Sequence, residues 1–148
     1  MDILCIKDNP ADTRLLQMIL ASSTEEEFRI VHTEQLEEAL RLLTERTFDL
    51  VLLDFTLPGS FGLETLRQVQ RKAPNVPIVI LTGYEDERTA LQALQSGAQD
   101  YLIKGHIDYQ LLSRAIRYAI ERKTAEQALR ESETRFRCLA ENARDLVY

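Results

Sequence analysis

Residues 50–54 read Leu-Val-Leu-Leu-Asp, and Phe-Thr-Leu-Pro-Gly follows directly at residues 55–59. The apolar run predicts a buried strand, and the proline and glycine after it predict a turn. Asp54 is therefore expected at the carboxyl end of a buried strand, which is the edge where open α/β sheets hold their functional groups. This stretch predicts the fold class and the first candidate site residue together.

Similar apolar runs recur along the chain and alternate with amphipathic segments. The runs cover residues 2–6, 28–32, 48–53, 77–81 and 99–103. Such a βαβα order is typical of an α/β fold with a doubly wound parallel sheet covered by helices on both faces. Asn9 and Pro10 predict the start of the first helix, and Gly97 predicts the end of the fourth. The buried stripe expected on the first helix is Leu15, Leu16, Ile19 and Leu20.

The composition narrows the classes of function. The chain has 148 residues and a formal net charge of -6, which argues against a nucleic-acid or membrane-surface partner because both need clustered Lys and Arg. There is neither a basic signal-peptide start nor an apolar run of about 20 residues, so a cytoplasmic protein is expected. Cys5 and Cys138 are expected to be unpaired, and His32 and His106 lack companion metal ligands.

The carboxyl-terminal part predicts an unusually long helix. Residues 108–132 contain neither proline nor glycine, so the helix that starts near His106 can leave the domain. Beyond residue 123 it keeps only a thin apolar seam of Ala125, Ala128 and Leu129. An interdomain signalling helix, a homodimer contact and a solvated extension all remain open. The chain then stops at residues 146–148, Leu-Val-Tyr, a strand-like run that suggests a truncated second domain.

Polar residues follow several of the predicted strands. Asp8, Asp54, Thr82 and Lys104 come at the ends of the first, third, fourth and fifth strands. In a parallel sheet these ends share one edge, so the four residues are expected to converge on one site. Two carboxylates there suit a hard cation such as Mg²⁺, and a hydroxyl with an ammonium suits phosphoryl oxygens.

With these residues in place, the chain from Met1 to about Lys123 resembles a response-regulator receiver domain of two-component signalling. The matching stretches are residues 8–12 (DNPAD), 51–58 (VLLDFTLP), 80–83 (ILTG) and 100–105 (DYLIKG). Each is a weak signal alone, but their order and placement at strand ends make the resemblance strong. It implies the flavodoxin-like strand order 2-1-3-4-5.

The resemblance also implies roles. Asp54 would accept a phosphoryl group from a histidine kinase or phosphotransfer protein, and Asp8, Asp54 and the carbonyl of Thr56 would bind Mg²⁺. Thr82 and Lys104 would contact the phosphoryl group, with Tyr101 changing rotamer as Thr82 moves. The signal would then appear on the fourth helix, fifth strand and fifth helix. Such a fragment would not be a conventional enzyme; its chemistry would be Mg²⁺-dependent self-phosphorylation and dephosphorylation.

Two positions depart from the family pattern. Lys7 stands where the family usually has a second acid, and a cation there is expected to weaken Mg²⁺ binding. Gly105 follows Lys104 where the family commonly has a proline after a cis bond, so the geometry of this peptide stays open.

The end of the chain resembles the start of a PAS sensory domain, in residues 135–137 (RFR) and 139–143 (LAENA). The expected organisation is a receiver domain at 1–123, a helical linker at 124–133 and a truncated PAS-like start at 134–148. Receiver, helix and PAS in this order imply the front of a hybrid sensor kinase or a related regulator.

Other functions remain open on the residues alone. A pseudo-receiver, which binds partners without phosphorylation, is favoured by Lys7. A phosphohydrolase of the haloacid dehalogenase type needs a second Asp where this chain has Thr56. Flavin binding needs a phosphate-cradling loop, and Asp8 stands where that anion would lie. In the simplest interpretation, Asp54 and Lys104 are ordinary polar residues at strand exits.

Overall fold

The computed structural model of the protein describes residues 1–7, 10–21, 28–55, 62–82, 87–105 and 107–147, and strands alternate with helices throughout these ranges. The strands are β1 (Asp2–Ile6), β2 (Arg29–Thr33), β3 (Leu50–Asp54), β4 (Ile78–Thr82) and β5 (Asp100–Ile103). The helices are α1 (Pro10–Ala21), α2 (Leu36–Glu45), α3 (Gly62–Lys72), α4 (Glu87–Gln95) and α5 (Tyr109–Val147). All five predicted strands are confirmed.

The strands form one parallel sheet in the order β2-β1-β3-β4-β5. This is the predicted order, and it places β3 at the centre of the sheet. Every residue of β3 and β4 is buried because helices cover both faces. The continuous apolar sequence of β3 therefore reflects burial on two sides rather than one.

Alternate side chains of each strand pack on opposite faces of the sheet. We call the first the α1/α5 face; its strand residues are Ile3, Cys5, Leu50, Leu52, Val79, Leu81 and Leu102. They pack against α1 and α5 through residues such as Leu16, Leu20, Leu112 and Ile116. The second is the α2–α4 face, with strand residues Leu4, Ile6, Val51, Leu53, Ile78 and Ile80. This alternation also determines the face of the sheet on which the polar residue at the end of each strand lies.

Gly97 ends α4 as predicted. Its φ of +114° lies in the region that favours glycine. The N–H of Ala98 donates to the carbonyl of Ala93 at 3.0 Å, and the N–H of Gly97 donates to Leu94 at 3.2 Å, which together form a Schellman motif. This sharp stop returns the chain to the sheet at β5, the strand that precedes Lys104.

Helix α5 is longer than the sequence predicted. Asp108 caps it, since its side-chain oxygen accepts the N–H of Leu111 at 2.8 Å. The helix continues for 39 residues, about 58 Å, rather than ending near Ser132. Leu146 and Val147 belong to it, so the strand-like interpretation of this run is wrong. The boundaries expected at residues 123 and 133 both fall inside one helix, and the division into linker and PAS start stays a prediction.

Some details of packing also differ from the sequence predictions. Leu15 was placed in the buried stripe of α1, but its side chain is 57% exposed, because only Leu16, Ile19 and Leu20 face the sheet. Cys5 is buried as expected, whereas the side chain of Cys138 lies outside the described part. Within the described residues, no helix is both long and apolar enough to cross a bilayer.

Candidate functional site

Asp54 is the last residue of β3, and its side chain is fully buried. Its Oδ2 atom accepts a hydrogen bond from Nζ of Lys104 at 2.7 Å, in an ion pair between residues 50 positions apart. The length is typical of a charge-assisted bond. The predicted convergence of these two strand-end residues is therefore present in the fold.

Lys104 is held in place by the strand next to its own. Its N–H donates to the carbonyl of Thr82 at 2.8 Å, which extends the pairing of β4 with β5 by one residue. Gly105 follows with a φ of +92°, where a residue with a Cβ would be strained. No peptide bond between described residues is cis, so Lys104 and Gly105 are joined by a trans bond.

Thr82 and Tyr101 lie on β4 and β5, the two strands on the Lys104 side of β3. Thr82 is buried at the end of β4, one residue beyond the position that pairs with Asp54. Tyr101 pairs with Ile80 and packs, partly buried, against the α2–α4 face. Alternation along β4 places Thr82 on that same face. The two residues of the predicted relay thus share a face, although their movement stays a prediction.

Lys7 is the unexpected feature of this edge. Only 3% of this lysine is exposed, and lysine is rarely buried to this degree. It follows β1 and lines a cavity of about 130 Å³ together with Lys104. The other lining residues are Leu15, Leu16, Ile19, Gly105 and Ile107. Lys7 and Lys104 therefore bring two positive charges to the α1/α5 side of the buried Asp54.

The main chain of Lys7 is fixed by β2. Its N–H donates to the carbonyl of Thr33 at 3.0 Å, and its own carbonyl lies 2.8 Å from Nε2 of His32. A carbonyl can only accept, so Nε2 of His32 carries the proton. Sequence reasoning assigned no role to His32, because nothing in the local pattern shows which backbone atom an imidazole will meet.

The described residues include only one of the three expected magnesium ligands, Asp54. Asp8 and Thr56, two of the three expected ligands, lie outside them. Asp54 offers the oxygen atoms that Mg²⁺ prefers, but Lys7 and Lys104 place like charges near any cation there. No cluster of three or more His, Cys, Asp or Glu side chains suited to a metal occurs in the described ranges. These residues alone do not fit a strong magnesium centre.

The edge is nevertheless suited to a charged group transfer. A buried carboxylate is a potential nucleophile, and ammonium groups fixed beside it stabilise negative charge that is added to it. The low local dielectric strengthens these interactions. Phosphoryl transfer needs this combination, since the group brings several negatively charged oxygens to the carboxylate.

Comparison with known proteins adds independent information. A family model for the response regulator receiver domain matches residues 3–117. The transcriptional regulatory protein ZraR of Escherichia coli O157:H7 is 32% identical over 120 residues, which are 81% of this chain and 26% of that protein. The transcriptional regulatory protein ResD of Bacillus subtilis is 35% identical over 102 residues, 69% of this chain and 41% of ResD. The chain thus spans about a quarter of the length of ZraR.

Solved structures agree with the family match. The response regulator receiver domain protein from Clostridium thermocellum superposes with a TM-score of 0.73 at 31% identity, covering 84% of this chain and 97% of that one. Full-length FixJ from B. japonicum gives a TM-score of 0.74 at 29% identity, covering 82% of this chain and 58% of FixJ.

Proposed function

This chain belongs to the response regulator receiver domain family, and we propose that Asp54 is its phosphoryl acceptor in a two-component phosphorelay. The main support is the bond of 2.7 Å from Nζ of Lys104 to the buried Oδ2 of Asp54. This bond joins the proposed nucleophile, Asp54, to the ammonium group that would then bind the negatively charged phosphoryl oxygens. Receiver domains take phosphoryl groups from histidine kinases or phosphotransfer proteins, and this is the partner class we propose.

In the proposed reaction a carboxylate oxygen of Asp54 attacks the phosphorus atom of the donor. A P–O bond forms while the bond to the donor's leaving atom breaks, and the leaving group keeps that electron pair. Lys104 then shifts its hydrogen bond to a phosphoryl oxygen, where Thr82 supplies a hydroxyl. Receiver domains generally use Mg²⁺; Asp8, Asp54 and the carbonyl of Thr56 would hold it, and it would neutralise oxygen charge.

The proposed output is a change on the surface formed by α4, β5 and α5. Thr82 and Tyr101 lie on neighbouring strands and on one face of the sheet, which is the arrangement that a coupled movement requires. Since α5 starts on this surface and leaves the domain, a shift of the surface would also displace the helix.

Intact mass spectrometry tests the proposal directly. The protein is incubated with a small-molecule phosphodonor over a series of Mg²⁺ concentrations, with Asp54→Asn as the matched control. We expect one added phosphoryl group on the wild type and none on the variant. If no Mg²⁺ concentration produces modification, the phosphorylation-independent pseudo-receiver, which Lys7 already favours, replaces this proposal.

We also propose that the chain is the front of a receiver–PAS protein such as a cytoplasmic hybrid sensor kinase, with α5 as the connecting helix. Its support is the sequence resemblance at residues 135–143 and the continuity of α5 through both expected boundaries. The curated relatives are named as transcriptional regulators, so another output is the competing possibility. Sequencing the region downstream of residue 148 in the parent gene decides between a PAS domain and another output.

The proposed partner of α5 is a second copy of this chain in a parallel pair. All of its exposed large apolar side chains in the described part lie on one stripe: Leu111, Tyr118, Leu129 and Phe136. Between residues 125 and 136 the stripe advances by 4, 3 and 4 residues, through Ala125, Leu129, Ser132 and Phe136. This spacing fits a supercoiled helix pair, in which Leu129 and Phe136 would supply the large apolar side chains. A parallel twofold axis lets this stripe pair with itself.

A further inference from the structure

We infer that Lys7 binds the oxyanion formed on Asp54, from the β1 side of the site, so that this receiver holds a phosphoryl group with little dependence on Mg²⁺. The inference rests on the proposed phosphorylation of Asp54 and specifies what binds the phosphoryl group. It assigns a function to Lys7, the residue that departs from the family pattern.

The position of Lys7 relative to Asp54 follows from the sheet. Ile6 pairs with Leu53 in the parallel ladder, so the next residues, Lys7 and Asp54, are neighbours on adjacent strands. Parallel strands lie about 4.8 Å apart, which brings the two main chains close. Alternation places both side chains on the α1/α5 face, and Lys7 lines a cavity there.

Lys104 reaches Asp54 from the other side. Its strand, β5, lies two strands from β3, and its Nζ crosses β4 to contact Oδ2 of Asp54. Lys7 comes from β1, the neighbour of β3 on the opposite side. The central strand that ends in Asp54 therefore lies between β1, which precedes Lys7, and β5, which precedes Lys104.

The cavity beside these lysines gives them a partly apolar surrounding. Its volume is about 130 Å³, and Leu15, Leu16 and Ile19 form its apolar wall. An apolar wall lowers the local dielectric, which strengthens the attraction between an ammonium and a phosphoryl oxygen. Each ammonium has three N–H donors, so one lysine can retain its existing contacts and still donate to an added group.

The main chain of Lys7 is already rigid. Its N–H donates to the carbonyl of Thr33, and its carbonyl accepts a hydrogen bond from Nε2 of His32. These two bonds fix the backbone on both sides of the residue. The lysine therefore loses little backbone freedom when it binds an anion, and such preorganisation favours affinity. A fixed cation at this point supplies part of the positive charge that a metal supplies when an acid occupies the position.

The test measures binding of beryllofluoride, a phosphoryl mimic, by ¹⁹F NMR with Mg²⁺ and again with a chelator. Four proteins are compared: the wild type, Lys7→Met, Lys7→Arg and Lys72→Met. Methionine removes the charge at similar length, and arginine retains it. Lys72 is an exposed lysine at the end of α3, so Lys72→Met controls for the change in net charge. Circular dichroism verifies that each variant is folded.

We expect the wild type to bind beryllofluoride in chelator within about tenfold of its affinity with Mg²⁺, where tenfold is the scale of one lost charged contact. Lys7→Met should lose tenfold or more of the affinity in chelator, whereas Lys7→Arg and Lys72→Met should retain it. Wild-type binding that vanishes in chelator overturns the inference and leaves the proposed function intact. Equal affinities of the wild type and Lys7→Met in chelator overturn it as well. No binding by any protein in either buffer removes the proposed function itself.

Discussion

The carboxyl edge of the sheet and the free part of α5, by which we mean the helix from Leu129 onward, both depart from the usual rule that charged residues are exposed and large apolar residues are buried. They depart from it in opposite ways. At the edge, the charged side chains of Lys7 and Asp54 are buried. On the helix, Leu129 is 60% exposed and Phe136 is 74% exposed. A buried charge costs free energy unless it is paired and hydrogen-bonded, whereas large apolar side chains exposed along one stripe offer a contact surface. The comparison teaches that the protein concentrates charge at the buried edge and leaves apolar side chains on the helix, which is why we propose phosphoryl transfer for the first and a partner for the second.

A pair of identical truncations tests this contrast most strongly. Leu52→Ala opens a cavity in the centre of the sheet and should lower the free energy of unfolding by about 2–5 kcal/mol. Leu129→Ala, measured at a concentration where the chain is monomeric, should change it by less than about 0.5 kcal/mol. Chemical denaturation of both variants gives the values. Equal losses would mean that Leu129 is packed in the monomer.

The partner surface of α5 is tested by Phe136→Glu. A carboxylate in a helix seam loses its hydration without gaining a partner, so the dimer dissociation constant should rise by about tenfold or more. Thr134→Glu adds the same charge outside the stripe and serves as the control. Analytical ultracentrifugation over a concentration series provides the constants. A monomeric wild type at every concentration would leave another domain of the parent chain as the partner of the helix.

A smaller effect is expected at the start of α5. The cap residue Asp108 belongs to the body, by which we mean the receiver domain at residues 1–123, whereas the helix that it caps continues into the free part. Asp108→Ala removes the acceptor for the N–H of Leu111 and should cost about 1 kcal/mol in the free energy of unfolding. Asp108→Asn keeps an acceptor and should recover most of that loss. Thermal unfolding followed by circular dichroism measures both. A neutral Asp108→Ala would show that packing of Leu112 and Ile116 alone fixes the start of the helix.

The smallest effect is expected from shortening the chain after Arg130. The side chains of residues 131–137 are exposed, so their removal takes little away from the body. Its free energy of unfolding should stay within about 0.5 kcal/mol at a monomeric concentration. Any dimer, in contrast, should weaken, because Phe136 is lost. If the domain unfolds much more readily after this truncation, the end of α5 contributes to its stability, which would contradict the distinction between the sheet edge and the free part of the helix.

Much of the edge was predictable because its signals are local. Four strand ends carry Asp8, Asp54, Thr82 and Lys104, and the geometry of a parallel sheet brings such ends together. The bond between Lys104 and Asp54 confirms one such meeting. For Asp8 and Thr56, which lie outside the described residues, the predicted metal roles remain predictions.

Other features were not predictable because they depend on which elements meet. Leu15 fits the apolar spacing of α1 as well as Leu16 does, and only the placement of α1 on the sheet determines which one is buried. The exposure of Phe136 likewise follows from the length of α5, which carries this residue past the body. The role of His32 depends on the carbonyl of Lys7, which is 25 residues away in sequence.

By itself, the sequence determined the α/β fold and the position of Asp54 at the end of a buried strand, because hydrophobic periodicity and turn residues act over short distances along the chain; the strand order was implied by the family resemblance. The tertiary structure alone decided that Lys7 is buried on the same face of the sheet as Asp54, and that the apolar stripe of α5 points away from the body. Both depend on strand register and helix placement. These arise from packing among distant segments, which no local pattern specifies.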